Sequence, residues 1–256
     1  MMLRRLPVLV PVLLSGLFLF ACGSEEVGDT EKIFVAPVWT GSETFEYELY
    51  ERELSGYCTY RTEPEGDVLR LITECTDAAG EGHRDDTTAV VDPQTLEPIE
   101  AKRVVIDTER ETETIYAGTY EPPKHVVVSL TSVDLTGKDE DETFEADREL
   151  PPATESAPEP GWYDETSLFW LIRGIPLEEG FKGRYANVNV GIGRIVGADV
   201  EVEGIEEVEV PAGTFRAYSI RVESSITNRF WVDVEAPHRV VKARLERTTF
   251  ELVSWE

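Results

Sequence analysis

"ADVEVEGIEEVEVPAGTFRAYSIRVES", residues 198–224, decides the fold class. Before the break, Val200, Val202, Val208 and Val210 share one parity, and Glu201, Glu203, Glu207 and Glu209 share the other. After it, Tyr218, Ile220 and Val222 alternate with polar neighbours. A period of two puts apolar side chains on one face of a pleated strand and acids on the other. The break, Pro211-Ala212-Gly213, carries turn chemistry. Proline fixes φ for the first corner, and glycine supplies the positive φ needed to leave it. No nucleophile, base or ligand set is needed to explain these residues, so the stretch reads as a hairpin. Closing it at Val210 and Phe215 sets Glu209 opposite Arg216.

The same pattern extends outward. "TFEYELYEREL" (44–54) alternates Phe45, Tyr47 and Leu49 against Glu46 and Glu48. "VLRLIT", "TTAVVD", "EAKRVVID", "TIYAGTY", "HVVVSLTSV" and "RYANVNVGI" are rich in β-branched and aromatic residues and are bounded by Gly, Pro or Asp clusters. The expected fold is all-β and mainly antiparallel: a large curved sheet or incomplete barrel formed by residues 39–256 as one domain. One short helix is expected over "YDETSLFWLIRGI", residues 163–175. Asp164 or Thr166 would cap it, and Leu168, Phe169, Leu171 and Ile172 would form its apolar stripe. "LPPATESAPEPG", residues 150–161, is a Pro-rich connector. "VVDPQTLEPIEAKR" and "WVDVEAPHRVVKAR" echo one another, each with a Val-Asp pair followed by a later arginine, Arg103 or Arg244. This hints that the connector joins two related half-sheets.

The N-terminus reads as a bacterial export signal. Arg4 and Arg5 precede an apolar run that is too short and too proline-interrupted to span a membrane. The run ends in Leu19-Phe20-Ala21-Cys22, which resembles a lipobox, so residues 1–21 are read as a signal peptide and Cys22 as the lipidated residue. Residues 22–38, polar and aperiodic, are read as a flexible tether. Gly23 and Ser24 after the anchor favour an outer-membrane or cell-surface address over the inner membrane. The partner implied is the membrane, through the lipid.

Charge and cysteines narrow the chemistry further. Acids outnumber bases 51 to 24, giving −27 overall. Such a field repels nucleic acid, which is therefore excluded as a partner. The sequence "TYRTEPEGDVLRLITE" between Cys58 and Cys75 folds as a hairpin about Gly66-Asp67 and brings the two cysteines opposite each other. In an exported chain they are expected to form a disulfide.

Catalytic signatures are missing. "GIGRIVG" (191–197) has its third glycine one place too late for a dinucleotide fingerprint, and a strand follows it. His83, His125 and His238 lie in separate segments without zinc spacing. "TDAAGEGHRDD" offers Asp77, Glu81, Asp85 and Asp86, but it reads as an acidic surface turn rather than a calcium loop. No metal, cofactor or enzymatic activity is expected. The aromatic group Trp162, Phe169, Trp170 and Phe181, with Trp231, is the candidate ligand-binding set, because a helix against a concave sheet makes an apolar pocket. The leading reading is a non-catalytic envelope lipoprotein binding a lipid, acyl chain or other apolar ligand. The alternative is a structural or protein-interaction module of an envelope complex with a filled core.

"SLFWLIRGIPLEEGF", "GIEEVEVPAGTFRAY" and "WVDVEAPHRVVK" together resemble the family catalogued as domain of unknown function 3108. Its recurring elements fall on Arg173 to Leu177, Gly204 to Phe215 and Trp231 to Lys242. The resemblance implies an exported bacterial protein, often a lipoprotein, with no established activity and no agreed catalytic residues. By looser architectural likeness it implies a curved antiparallel sheet, as in periplasmic lipoprotein carriers.

Overall fold

A computed structural model describes residues 27–39, 41–80, 82–121, 125–138 and 140–256. The signal peptide and Cys22 lie outside the described residues. The first half is a meander of β1 (Glu43–Tyr50), β2 (Leu54–Glu65), β3 (Val68–Asp77), β4 (Arg84–Val91), β5 (Pro98–Asp107), β6 (Thr112–Glu121), β7 (His125–Asp134) and β8 (Glu142–Glu149). The proline-rich connector then carries the chain to the opposite edge of the sheet. There β9 (Trp162–Asp164) is followed by α1 (Leu168–Leu171), β10 (Lys182–Asn189), β11 (Arg194–Val210), β12 (Gly213–Glu223), β13 (Thr227–Asp233), β14 (Val240–Leu245) and β15 (Thr248–Trp255). This second meander returns to the middle, where β15 pairs with β1. The result is one 15-stranded sheet with β8 and β9 at its edges. The pairs between neighbours are antiparallel except β9 with β10. The sheet curls around α1 without closing into a barrel.

Two expected turns are observed. Glu65 pairs with Val68 across Gly66-Asp67, and Cys58 faces Cys75 in that register and is bonded to it. Crosslinking a loop of this size contributes about 3 kcal/mol in the chain-entropy model. The Pro211-Ala212 turn is tighter than expected: Val210 pairs with Gly213, so Glu207, not Glu209, faces Arg216. Gly213 takes φ +136° at the exit, a region that side chains avoid. The ladder also slips near Glu203, and all five valines of the quoted stretch are buried.

The internal echo carries into geometry. In the β4–β5 loop, the Asp92 carboxylate accepts from the backbone N–H groups of Gln94 and Thr95, and Asp92 N–H donates to the Glu97 carbonyl. In the β13–β14 loop, the Asp233 carboxylate accepts from Glu235 N–H, and Asp233 N–H donates to the Arg239 carbonyl. Each loop leaves through a left-handed residue, Leu96 or His238.

Two expectations need correction. The helix is shorter than residues 163–175: Trp162–Asp164 is recruited into the sheet, Glu165–Ser167 is a 3₁₀ turn, and only Leu168–Leu171 is α-helical. Asp164 caps the turn, accepting from Thr166 N–H. The segment through residue 38 is not a free tether from Val27 onward. It is a strap, with Ile33 and Phe34 buried, Glu31 N–H bonded to the Arg184 carbonyl, and Val35 N–H bonded to the Gly174 carbonyl. Phe34 N–H donates to the Tyr163 hydroxyl at 3.2 Å. The strap lies so close that a Cβ on Gly161 would fall 1.8 Å from the Glu31 carbonyl oxygen, and one on Gly174 would fall 2.1 Å from the Phe34 ring. Ile33 and Phe34 open a short apolar run, Ile33 to Trp39, that has neither the period of a strand nor that of a helix to reveal its packing.

Arg173 pins α1 to the sheet. Only 3% of its side chain is exposed, and its guanidinium makes paired bonds of 2.9 and 3.1 Å to Glu43. It also donates to the carbonyls of His238 and Pro237 and sits 4.9 Å over the Phe45 ring. Removing one member of a buried ion pair costs about 3–5 kcal/mol. Arg173→Met is therefore expected to lower the melting temperature by about 10 °C, at roughly 2–4 °C per kcal/mol for a domain of this size. Arg70→Ala, at the exposed Glu65 pair, should shift it by no more than a degree or two. Thermal melts of both variants check the contrast, and equal midpoints would overturn it.

Candidate functional site

Beside α1 a cavity of about 460 Å³ opens onto the interior. Its floor is apolar, built from Tyr60, Leu168, Phe169, Leu245 and Phe250. Its rim is polar, with Asp85, Arg103, Glu165, Glu246 and Arg247 among the lining residues. The volume falls within the range of small-molecule pockets, and an apolar floor with a few convergent polar groups is their usual composition.

The floor is positioned by aromatic packing. Phe169 is the hub: its ring centroid lies 4.3 Å from Tyr60, 5.7 Å from Tyr47, 5.5 Å from Phe230 and 5.6 Å from Phe250. Four strands thus fix one side chain of α1. The Cys58–Cys75 disulfide holds the adjoining hairpin, and Cys75 itself lines the cavity.

The rim is positioned by register. A single row of directly paired residues runs Tyr60, Thr73, Thr87, Arg103, Tyr116, Leu130 and Phe144 across β2 to β8. Arg103 is bound to Asp85 through bonds of 2.8 and 2.6 Å. This charge-assisted, two-pronged pair holds the guanidinium flat against the wall. Behind the 3₁₀ turn, buried Asp164 accepts from the Tyr120 hydroxyl and from Thr166. Its carboxyl is raised by burial, against the pull of those hydrogen bonds. Glu165, half-buried beside it, is pushed up to about 7, first by burial and then by the neighbouring Asp164, with Arg103 opposing.

The sequence-derived aromatic set is not brought together. Phe169 lines the cavity. Trp170 is 1% exposed and packs on Tyr60 in the core. Trp162 belongs to a second cluster, stacked on Tyr120 at 5.9 Å. Phe181 is half-buried beside the strap, near Ile33 and Gly183. Trp231 is half-buried, and its indole N–H donates to Glu206. The rim residues Arg103, Asp85 and Glu165 were not grouped by sequence reasoning. The signal available was the Asp164-Glu165 pair before the apolar run, where one acid caps the turn and the other has no structural duty. Among the described residues, no group of three or more His, Cys, Asp or Glu side chains is placed to hold a metal ion.

The family model described as "Protein of unknown function (DUF3108)" matches residues 46–249, which takes in every strand from β2 to β14. The chain belongs to the DUF3108 family. No curated protein matches it. Among solved structures, it is similar to the crystal structure of a β-barrel-like protein of the domain of unknown function DUF1849 from Brucella abortus. The TM-score is 0.50 at 12% identity, covering 86% of this chain and 98% of that one. That likeness concerns the fold: a DUF3108 chain and a DUF1849 chain share a barrel-like curl of sheet.

The Glu165 carboxyl gives a pH signature. Folding raises its pKa from 4.5 to about 7, so between those values the native state holds more protons than the unfolded chain. Stability then falls as pH rises across that window and stays low above it. Glu165→Gln, which keeps the shape and removes the charge, should melt several degrees above the wild type at pH 8 and alongside it at pH 4. The same difference at both pH values would show that the carboxyl is not strained.

Proposed function

We propose that this protein is a non-catalytic lipoprotein of the bacterial cell envelope that holds a lipid, an acyl chain or another apolar ligand between α1 and the concave face of its sheet. The supporting observation is the cavity beside Phe169, apolar at its floor and polar at its rim. An apolar tail would bury against Tyr60, Leu168, Phe169 and Phe250, gaining roughly 25 cal/mol per Å² of surface withdrawn from water. A polar end group would meet Arg103, Glu165 and Glu246 at the rim. The address is inferred from the sequence around Cys22, where Gly23 and Ser24 favour an outer membrane or cell surface over the inner membrane.

A second reading has its own support. Most of the aromatic candidates are packed into the core, as a structural or protein-interaction module with a filled interior requires. Native mass spectrometry of the purified protein separates the two: the ligand reading expects co-purified lipid, and the filled-core reading expects bare protein.

Two further outcomes are expected. Thr87→Trp, which places an indole in the cavity wall, should weaken binding of a fluorescent long-chain acyl probe at least tenfold while the fold still melts cooperatively. Unchanged probe affinity would remove the cavity from consideration. Cys22→Ser should abolish palmitate labelling and release the protein from membranes. Persistent membrane association of that variant, or an unlabelled wild type, would refute lipid anchoring.

A further inference from the structure

The sheet has two edges, and they are finished differently. β9 is only three residues long, and all three are buried. β8 is eight residues long and mostly exposed, and its register with β7 is unbroken. It contains no proline and no bulge; what guards this edge is charge, carried by Glu142, Glu145, Asp147, Arg148 and Glu149, which turns away strands of like charge and leaves the edge open to a cationic one. Among the described residues, no backbone hydrogen bond reaches β8 from any element other than β7. Its contact across the open seam is a side-chain bond, Arg148 Nε to the Gly193 carbonyl at 2.7 Å.

The two faces of β8 differ in chemistry. Phe144 and Ala146 form the middle of the concave side, where the row from Tyr60 ends, between Glu142 and Arg148, the latter already engaged with Gly193. Phe144 is 64% exposed, at the outer end of a half-buried Tyr116–Leu130 shelf. The convex side carries Glu145, Asp147 and Glu149, of which Asp147 is met by His125 at 3.0 Å. A second β8 laid antiparallel on this edge would set Glu145 against Asp147, and like charges directly opposite each other are destabilising. A cationic strand in the same place would meet those acids with opposite charge.

We propose that the free edge of β8 is a docking site for an extended segment of another protein, alternating apolar and Lys/Arg residues, which adds to the sheet as a further strand. Main-chain bonds to β8 supply affinity without sequence preference, and the alternation supplies the selectivity. Apolar side chains of the incoming strand cover Phe144 and Ala146, and its cations face Glu145 and Glu149. The site does not depend on what occupies the cavity.

The test uses the isotope-labelled protein and three synthetic probes: an alternating valine–lysine peptide, a peptide of the same composition with valines and lysines in separate blocks, and an alternating valine–glutamate peptide. The expected result is that the first peptide protects alternate amides of residues 142–149 from exchange and binds at least tenfold more tightly than the blocked peptide. Glu145→Lys combined with Glu149→Lys should lose the valine–lysine peptide and acquire the valine–glutamate one, which also shows that the variant is folded. Equal binding of the blocked peptide, protection scattered over the acidic surface, or self-association of the wild type through β8 would each overturn the proposal.

Discussion

Everything at the centre of this protein hangs on where one guanidinium finds its partners. Arg173 leaves a helix of only four residues, too short to be stable by its own hydrogen bonds. An unpaired charge at that depth would cost several kcal/mol. The cost is offset because Glu43 arrives on β1 in two-pronged geometry while the loop before β14 turns the carbonyls of Pro237 and His238 inward. Three segments far apart in the chain are thereby fixed at one point. They include two of the motifs that carry the family resemblance, the Arg173–Leu177 stretch and the Trp231–Lys242 stretch. Their recurrence has a physical basis: the arginine of one motif is satisfied by the backbone of the other.

From that anchor the site follows mechanically. Holding α1 fixes Phe169, and Phe169 fixes the rings of Tyr47, Tyr60, Phe230 and Phe250 around it. What the rings do not fill is the cavity, bounded on its far side by β3 to β5. The polar rim is a product of sheet register: the row that begins as buried Tyr60 reaches Arg103 three strands later. The interior thus grades from aromatic to charged within a few strand spacings of about 4.8 Å each.

The parts legible in the sequence were those governed by local rules. Strand alternation, the Gly66-Asp67 turn, the Cys58–Cys75 pair and the Asp164 cap each depend on neighbours in the chain. The Pro211 hairpin was legible as a turn but not in its register, because loop length there depends on how Gly213 leaves the corner. The strap was hidden because Ile33 and Phe34 pack against residues such as Tyr163 and Gly174, more than a hundred positions away. The site failed for the same reason. The aromatics are expected from the sequence to meet where the helix packs against the concave sheet. Recruiting Trp162 and Tyr163 into β9 instead turned Trp162 toward a second cluster with Tyr120, and Trp231 ended beside Glu206.

The pairing of β1 with β15 dictates an order of assembly. The sheet is continuous only where the first strand meets the last, and the contact of Ser254 with Glu46 spans 208 residues. Thr44 and Glu256 exchange backbone bonds beside that contact. β1 therefore lacks one of its two neighbours until β15, some two hundred residues further along, is in place. Each meander can form locally, but the interior between them has no wall on that side until the seam is sewn. Contacts of such sequence separation form late and slowly. The two meanders therefore depend on each other: neither encloses the interior until β1 and β15 meet, and the core closes at that seam.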